Sequence, residues 1–238
     1  MERVYITGRG LVTPLGDGLA ANEAALRSGK SGIVQNPEFV EKKLSSLVAG
    51  MPNYQPDTGD LIDRKLLRYS PPVALMAISA VNEALREAGL TPADLANKRV
   101  AVVGGVAGGD YRDFYNAATT YVNSDFRLRS VSPFMVPRIM PNNVVAMLSL
   151  AFGIKGESFN VSAACASGAL STLIAARLIR SGEYDMVITG GAEQVDWLWT
   201  LGFCACRALS TRYNETPALA SRPFDRDRDG FVDRKSVV

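Results

Sequence analysis

Residues 160–168 read Asn-Val-Ser-Ala-Ala-Cys-Ala-Ser-Gly, and the reading of the whole chain turns on them. Before this stretch, Glu157 to Val161 predicts the end of a strand. After it, Ala169 to Ser181 predicts a helix, because Leu170, Leu173, Ile174, Arg177 and Leu178 recur at the spacing of one helical face. Ser167 stands near the helix start, Arg177 and Arg180 lie in its last turns, and Gly182 follows its end. Asp185 to Thr189 then predicts a buried strand. Cys165 thus falls on a sharp strand-to-helix turn among Ala, Ser and Gly. The free N–H groups at a helix N-terminus carry partial positive charge, which lowers the pKa of a thiol held there. Small neighbours let an acyl group reach the sulfur. A serine on the same kind of turn is the nucleophile elbow of hydrolases. A buried, inert cysteine satisfies the same spacing, since free cysteine is among the most buried residue types. The turn by itself leaves both readings open.

Composition narrows the classes of function. A chain of 238 residues holds one large domain or two small ones. With 47% hydrophobic and 21% charged residues it can bury a core and stay soluble. Its net charge of +2, without a basic tail, gives no reason to expect nucleic acid. Three cysteines and no secretory signal point to a reducing, cytoplasmic setting. The longest apolar run, Val73 to Ile78, is too short to span a bilayer, so no membrane role is expected. The sequence contains no histidine, so any mechanism that needs an imidazole must borrow one or do without.

In chain order, Arg3 to Thr7 predicts a strand and Gly8-Arg9-Gly10 a tight turn feeding a helix over Leu19 to Arg27. Gly8, Gly10 and Thr13 nearly form a dinucleotide fingerprint, but the third glycine is absent and no acidic strand end follows. Residues 30–60 read as surface loop. Leu61 to Arg68 predicts a short helix, and Pro71-Pro72 ends it and opens a core helix over Val73 to Ala88, with Ile78, Val81 and Leu85 on one face. Lys98 to Gly104 predicts a second buried strand. Asp110 to Val122 reads as helix, as does a stretch from Pro141 that ends by Gly153. Gly104 to Gly109 lacks the Lys-Ser or Lys-Thr pair of a phosphate loop. Cys204 and Cys206, with no histidine and no fourth thiol, cannot complete a zinc site and read as packed core. Asp225, Asp227, Asp229 and Gly230 imitate the start of a calcium loop, but its twelfth position holds Ser236 instead of Glu. No metal and no cofactor are expected.

A resemblance separates the two readings of Cys165. Ser-Ala-Ala-Cys-Ala-Ser-Gly resembles the active-site segment of the beta-ketoacyl-ACP synthases, the condensing enzymes of fatty acid and polyketide synthesis. Val4 to Gly16, Ser132 to Asn142, Gly190 to Glu193, Gly202 to Arg212 and Ser221 to Val232 resemble further family segments in the same order. The likeness runs from residue 4 to about 232. It implies an α/β thiolase-like fold of mostly parallel sheet with helices on both faces, here its N-terminal half, with a long insertion at 105–150. It also implies that Cys165 accepts an acyl group from acyl carrier protein before decarboxylative condensation with malonyl-carrier protein. By the same likeness Ala107 walls the acyl tunnel, Phe203 lies beside the acyl pocket and Phe231 lies near the malonyl site. Met135 lines the partner's pocket in a homodimer, and Lys65 and Arg68 dock the acidic carrier. A packed-core role for the four pocket residues, and a solvated basic face for Lys65 and Arg68, are the plainer alternatives.

After Gly230-Phe231-Val232 the family continues into a Gly- and Ala-rich strand, whereas residues 233–238 read Asp-Arg-Lys-Ser-Val-Val. The resemblance places two catalytic histidines and a lysine in a second half, so the expectation is an N-terminal portion, truncated, mis-framed or partial, and inactive alone. A non-catalytic chain-length-factor-like partner is the alternative, although such partners usually replace the nucleophile. A thiolase acting on acyl-CoA fits the Arg-Pro-Phe-Asp and Gly-Phe-Val pattern less well.

Overall fold

A computed structural model describes residues 3–52, 58–234, 236 and 237. The elements run β1 (Val12–Thr13), β2 (Gly16–Asp17), α1 (Gly18–Arg27), β3 (Ile33–Gln35), α2 (Pro37–Glu41), β4 (Val48–Gly50), α3 (Arg64–Leu67) and α4 (Pro72–Glu87). They continue with β5 (Val100–Gly105), α5 (Tyr111–Asn123), α6 (Met135–Ile139), α7 (Asn143–Ala151), β6 (Ser158–Val161), α8 (Ser167–Arg180), β7 (Met186–Glu193), α9 (Trp197–Ala205) and β8 (Ser236–Val237). The chain divides into two compact units, one of residues 1–11, 56–193 and 237–238, the other of 12–55 and 194–236.

In the first unit β5 lies between β6 and β7, parallel to both, with Val102 opposite Ser158 and Ile188. Every residue of β5 is buried, as its apolar run requires of a strand covered on both faces. Its last two residues show what covers it. A Cβ on Gly104 would strike the Val145 side chain of α7, and one on Gly105 would strike the Ser167 backbone of α8. Successive strand residues face opposite ways, so α7 and α8 lie on opposite faces. Pro72 opens α4, and Val73, Ala74, Met76, Ala77 and Ile78 are all buried there. Gly89, Gly153 and Gly182 follow α4, α7 and α8 with positive φ, as helix stops do.

Several expectations are corrected in this unit. Residues 3–11 form no strand. Ile6 is 82% exposed, and Gly8 and Gly10 seat the segment on α4 instead. A Cβ on either glycine would stand only 2.0 or 1.8 Å from a carbonyl oxygen, Ala84 or Ala80. The Leu11 N–H donates to the Glu83 carboxylate at 2.9 Å. The short helix expected over 61–68 is confined to α3. The face of α8 that is buried is Ser167, Ser171 and Ala175, while Leu173 is 44% exposed. Small residues are needed on that face because α8 presses on glycines: a Cβ on Gly168 would lie 3.1 Å from the Gly191 Cα. The strand expected over 185–189 runs on to Glu193 and is mostly half-buried.

In the second unit β1 and β2 form an antiparallel hairpin, and β3 pairs antiparallel with β4, Val34 opposite Ala49. Residues 30–60 are therefore not all loop; strands of three residues are too short for a periodic signal. Phe39, Leu44, Ala49 and Val195 make the core, with Leu47, Met51, Trp197 and Cys204 packed on it.

Candidate active site

Cys165 is exposed on the turn between β6 and α8. Before it, Ala164 has φ +49°, a left-handed conformation that costs an alanine about 1 kcal/mol or more. Ser167, buried at the head of α8, holds that turn. Its Oγ accepts from the Ala163 N–H at 2.8 Å and donates to the Ala164 carbonyl at 2.6 Å. Ala166 is the N-cap, so the cysteine directly precedes the helix entry. The bridge between Ala163 and Cys165 tightens the loop further.

The neighbouring strand ends converge on the same place. Asn160, at the end of β6, accepts from the Val106 N–H at 2.9 Å and donates to the Val106 carbonyl at 3.1 Å. Ala107 follows, its N–H donating to Glu193 Oε2 at 3.2 Å and its carbonyl accepting from Ser162 Oγ at 3.2 Å. Cys165 and half-buried Ala107 therefore share the carboxyl end of a parallel sheet, where open α/β sheets place their ligands. Asn160 and Glu193 had no individual role in the sequence reading, and Ser167 served there only as a helix-start signal. Their signal was a polar residue closing an otherwise apolar strand or opening a helix.

Met135 is half-buried at the start of α6. Gly109 lets the loop after Ala107 meet this helix, since a Cβ there would lie 1.6 Å from the Ile139 carbonyl oxygen. Arg138 of α6 pairs with Asp113 and donates from Nη1 to the Ser70 carbonyl at 3.0 Å. Lys65 and Arg68 are both exposed on and just after α3. Asp63 caps α3, accepting from the Lys65 N–H at 2.8 Å and the Leu66 N–H at 2.7 Å. The Arg68 guanidinium stands 5.8 Å from the centre of the Phe134 ring, which meets Tyr69 edge-on at 5.0 Å. The basic residues and the start of α6 are thus joined through residues 68–70 and 134.

In the second unit Phe203 and Phe231 do come together, edge to face at 5.1 Å, and Trp199 stacks on Phe203 at 6.2 Å. Phe231 remains 45% exposed, and none of Ala107, Met135, Phe203 and Phe231 is a fully buried core residue. The expectation for Cys206 is corrected: it is exposed at the end of α9, and Cys204 is half-buried beside the core. The acidic run closes a loop. Asp229 accepts from Ser210 Oγ, the Thr211 N–H and the Arg212 N–H at 2.7, 2.9 and 2.8 Å. Burial pushes its carboxyl upward, but these donors outweigh burial and hold it below the usual range. Asp225 is likewise engaged by the Asp227 N–H and Arg222. Among the described residues no cluster of His, Cys, Asp or Glu could hold a metal ion, and no helix is long and apolar enough to cross a membrane.

Comparison with known proteins accords with this geometry. The chain is 38% identical over 232 residues to 3-oxoacyl-[acyl-carrier-protein] synthase 1 of Haemophilus influenzae, across 98% of this chain and 56% of that protein. It is 38% identical over 252 residues to the mitochondrial 3-oxoacyl-[acyl-carrier-protein] synthase of Arabidopsis thaliana, across 97% of this chain and 54% of that one. The crystal structure of a beta-ketoacyl synthase from Burkholderia phymatum superimposes with a TM-score of 0.88 at 31% identity, covering 100% of this chain and 58% of that one. The chain therefore spans little more than half the length of these relatives. Because the family description "Beta-ketoacyl synthase, N-terminal domain" matches residues 1–234, the chain belongs to the beta-ketoacyl synthase family and carries its N-terminal domain, on a thiolase-like fold.

Proposed function

We propose that Cys165 is the acyl-accepting nucleophile of a condensing acyltransferase of fatty acid or polyketide synthesis. The observation that carries the reading is an exposed thiol on a braced turn at the head of a fourteen-residue helix, at the carboxyl end of the parallel strands. In the step proposed, the Cys165 sulfur attacks the carbonyl carbon of an acyl thioester on acyl carrier protein. The Cys165 N–H faces the developing oxyanion, and the carrier's thiol leaves with the proton. The new thioester then awaits a carbanion, formed when malonyl-carrier protein loses carbon dioxide. Ala107, Met135, Phe203 and Phe231 are assigned to the acyl and malonyl pockets. Lys65 and Arg68 are assigned to the carrier, whose acidic surface they would steer.

Residues 1–238 are expected to stop at the acyl-enzyme. They contain no histidine to donate to the enolate oxygen, and one lost donor of that kind costs about 3 kcal/mol of barrier. A homodimer is assigned to the face of α5, in the 105–150 insertion. No α5 residue is buried, and Tyr111, Phe114, Tyr115 and Val122 are exposed. A second copy would cover them. The test is to incubate the purified chain with acyl-carrier protein, map adducts by mass spectrometry and then add malonyl-carrier protein. One acyl group on Cys165, absent from Cys165→Ala and stable to the second addition, is expected. Acylation on Cys204 or Cys206 sinks the nucleophile assignment, and condensed product at the rate of a complete synthase sinks the arrested-enzyme assignment.

A further inference from the structure

A single buried hydroxyl controls the peptide unit that joins Ala164 to Cys165. Ser167 is 3% exposed, and its Oγ spans the left-handed Ala164, accepting from the Ala163 N–H and donating to the Ala164 carbonyl at 2.6 Å. The Ser167 N–H reaches the same carbonyl at 3.1 Å, so one residue grips that oxygen twice. Ser167 is itself seated, because its own carbonyl stands where a Cβ on Gly105 would lie 2.4 Å away. The Ala164 carbonyl and the Cys165 N–H belong to one planar trans peptide, in which the two groups point in opposite directions. Holding the carbonyl toward the head of α8 therefore aims the Cys165 N–H away from it. The Ala166 N–H is taken by the Ala163 carbonyl at 3.0 Å, whereas the Cys165 N–H meets no acceptor among the described residues. Cys165 is exposed, so that donor is left for a ligand.

We propose that Ser167 is a positioning residue for acyl transfer: its hydroxyl orients the Ala164–Cys165 peptide so that the Cys165 N–H meets the oxyanion, and its loss spares the thiol while slowing acylation. The proposal rests on Cys165 being the acyl acceptor. It separates two reactions of one sulfur. Alkylation by iodoacetamide forms a sulfur–carbon bond, expels iodide, sends the thiol proton to solvent and develops no oxyanion. Acyl transfer forms the Cys165 thioester and breaks the donor's carbon–sulfur bond, and the thiol proton leaves with the departing thiol. That step passes through a tetrahedral oxyanion, which needs a donor already aimed at it. Only the second reaction depends on where the Cys165 N–H points. The demand on Ser167 comes from Ala164, since an alanine stays left-handed only where its surroundings impose it, whereas glycine adopts that conformation without a brace.

The test compares the two reactions on the purified chain, with the hexanoyl thioester of N-acetylcysteamine as acyl donor and iodoacetamide as alkylating agent. Mass spectrometry reads Cys165, and exposed Cys206 serves as the internal control for alkylation. Ser167→Ala should lower the maximal rate of Cys165 acylation by about tenfold or more, because a misaimed donor forfeits much of its effect. The half-saturating thioester concentration should stay unchanged, and alkylation of Cys165 relative to Cys206 should change far less than acylation. Ala164→Gly combined with Ser167→Ala should recover most of the lost acylation rate. Equal losses in acylation and alkylation, or no loss in either, overturn the proposal, the first by showing a general structural role. Should Ser167→Ala not fold, the double variant decides: acylation near the wild-type rate supports the proposal, and a double variant that does not fold, or folds without acylating, overturns it. A wild-type chain that is alkylated but never acylated at Cys165 removes the nucleophile assignment and this one with it.

Discussion

Gly105 shows how one missing side chain places the candidate nucleophile. A Cβ there would lie 2.4 Å from the Ser167 carbonyl carbon and oxygen and 2.5 Å from the Gly168 nitrogen. All three are backbone atoms of the first turn of α8, so nothing flexible can give way. Gly105→Ala is expected to lower stability by about 3 kcal/mol, the upper end of ordinary overpacking. It should also disturb the turn that Ser167 braces, so thiol alkylation at Cys165 should change in rate. Gly202 is the control. It lies inside α9 with nothing within 4 Å of a Cβ, and Gly202→Ala should raise stability by up to about 1 kcal/mol. Denaturant melts of the two variants check both signs; a neutral Gly105→Ala would mean that α8 does not need this close an approach. The glycines themselves could be read from the sequence. The left-handed Ala164 could not, because alanine gives no local preference for that conformation and only the surrounding hydrogen bonds impose it.

At the scale of elements, α3 is four residues long and has no buried residue, so its cap and its charges define it. Asp63 holds its N-terminus, while Arg64, Lys65 and Arg68 leave it basic. Such a helix contributes little to folding and is free to carry a contact. Reversing Lys65 and Arg68 to glutamate should slow acylation of Cys165 from acyl-carrier protein by about tenfold or more at low salt, and much less at high salt. Acylation from a small acyl thioester should be unchanged. An equal loss with both donors would show that the charges support the fold or the thiol and do not meet the carrier. The Arg68–Phe134 contact makes the arginine the more sensitive of the two positions, since its removal also uncovers an aromatic ring next to α6. Helix α8 teaches the opposite lesson about reading a face. Its leucines recur at helical spacing, yet the sheet side is the Ser167, Ser171 and Ala175 stripe. Contact with Gly190 and Gly191 selects small residues: Ser171 Oγ donates to the Gly190 carbonyl at 3.2 Å.

For the whole molecule, the exposed aromatic face of α5 sets a prediction about assembly. If a second copy covers Tyr111, Phe114, Tyr115 and Val122, the chain should sediment as a dimer at micromolar concentration. Phe114→Lys should then yield a folded monomer with an unchanged circular dichroism spectrum, because Phe114 supports no core of its own protomer. A wild-type monomer, or a dimer that Phe114→Lys leaves intact, would remove α5 from the interface.

The local structure around Cys165 was legible from residues alone, whereas the role of Cys165 and of the other candidate site residues came only from the family resemblance. The strand, turn and helix around Cys165 are written in local pattern: an apolar run, then small residues, then a helical spacing closed by Gly182. The stops at Gly89 and Gly153 and the start at Pro72 are equally local, because backbone dihedrals and a missing N–H act within one residue. Tertiary structure decided the rest. It left residues 3–11 out of any strand because Gly8 and Gly10 dock on α4. It turned Asp225, Asp227 and Asp229 into a loop clasp. Each of these depends on groups far apart in the chain, whose burial and hydrogen bonds no local periodicity encodes.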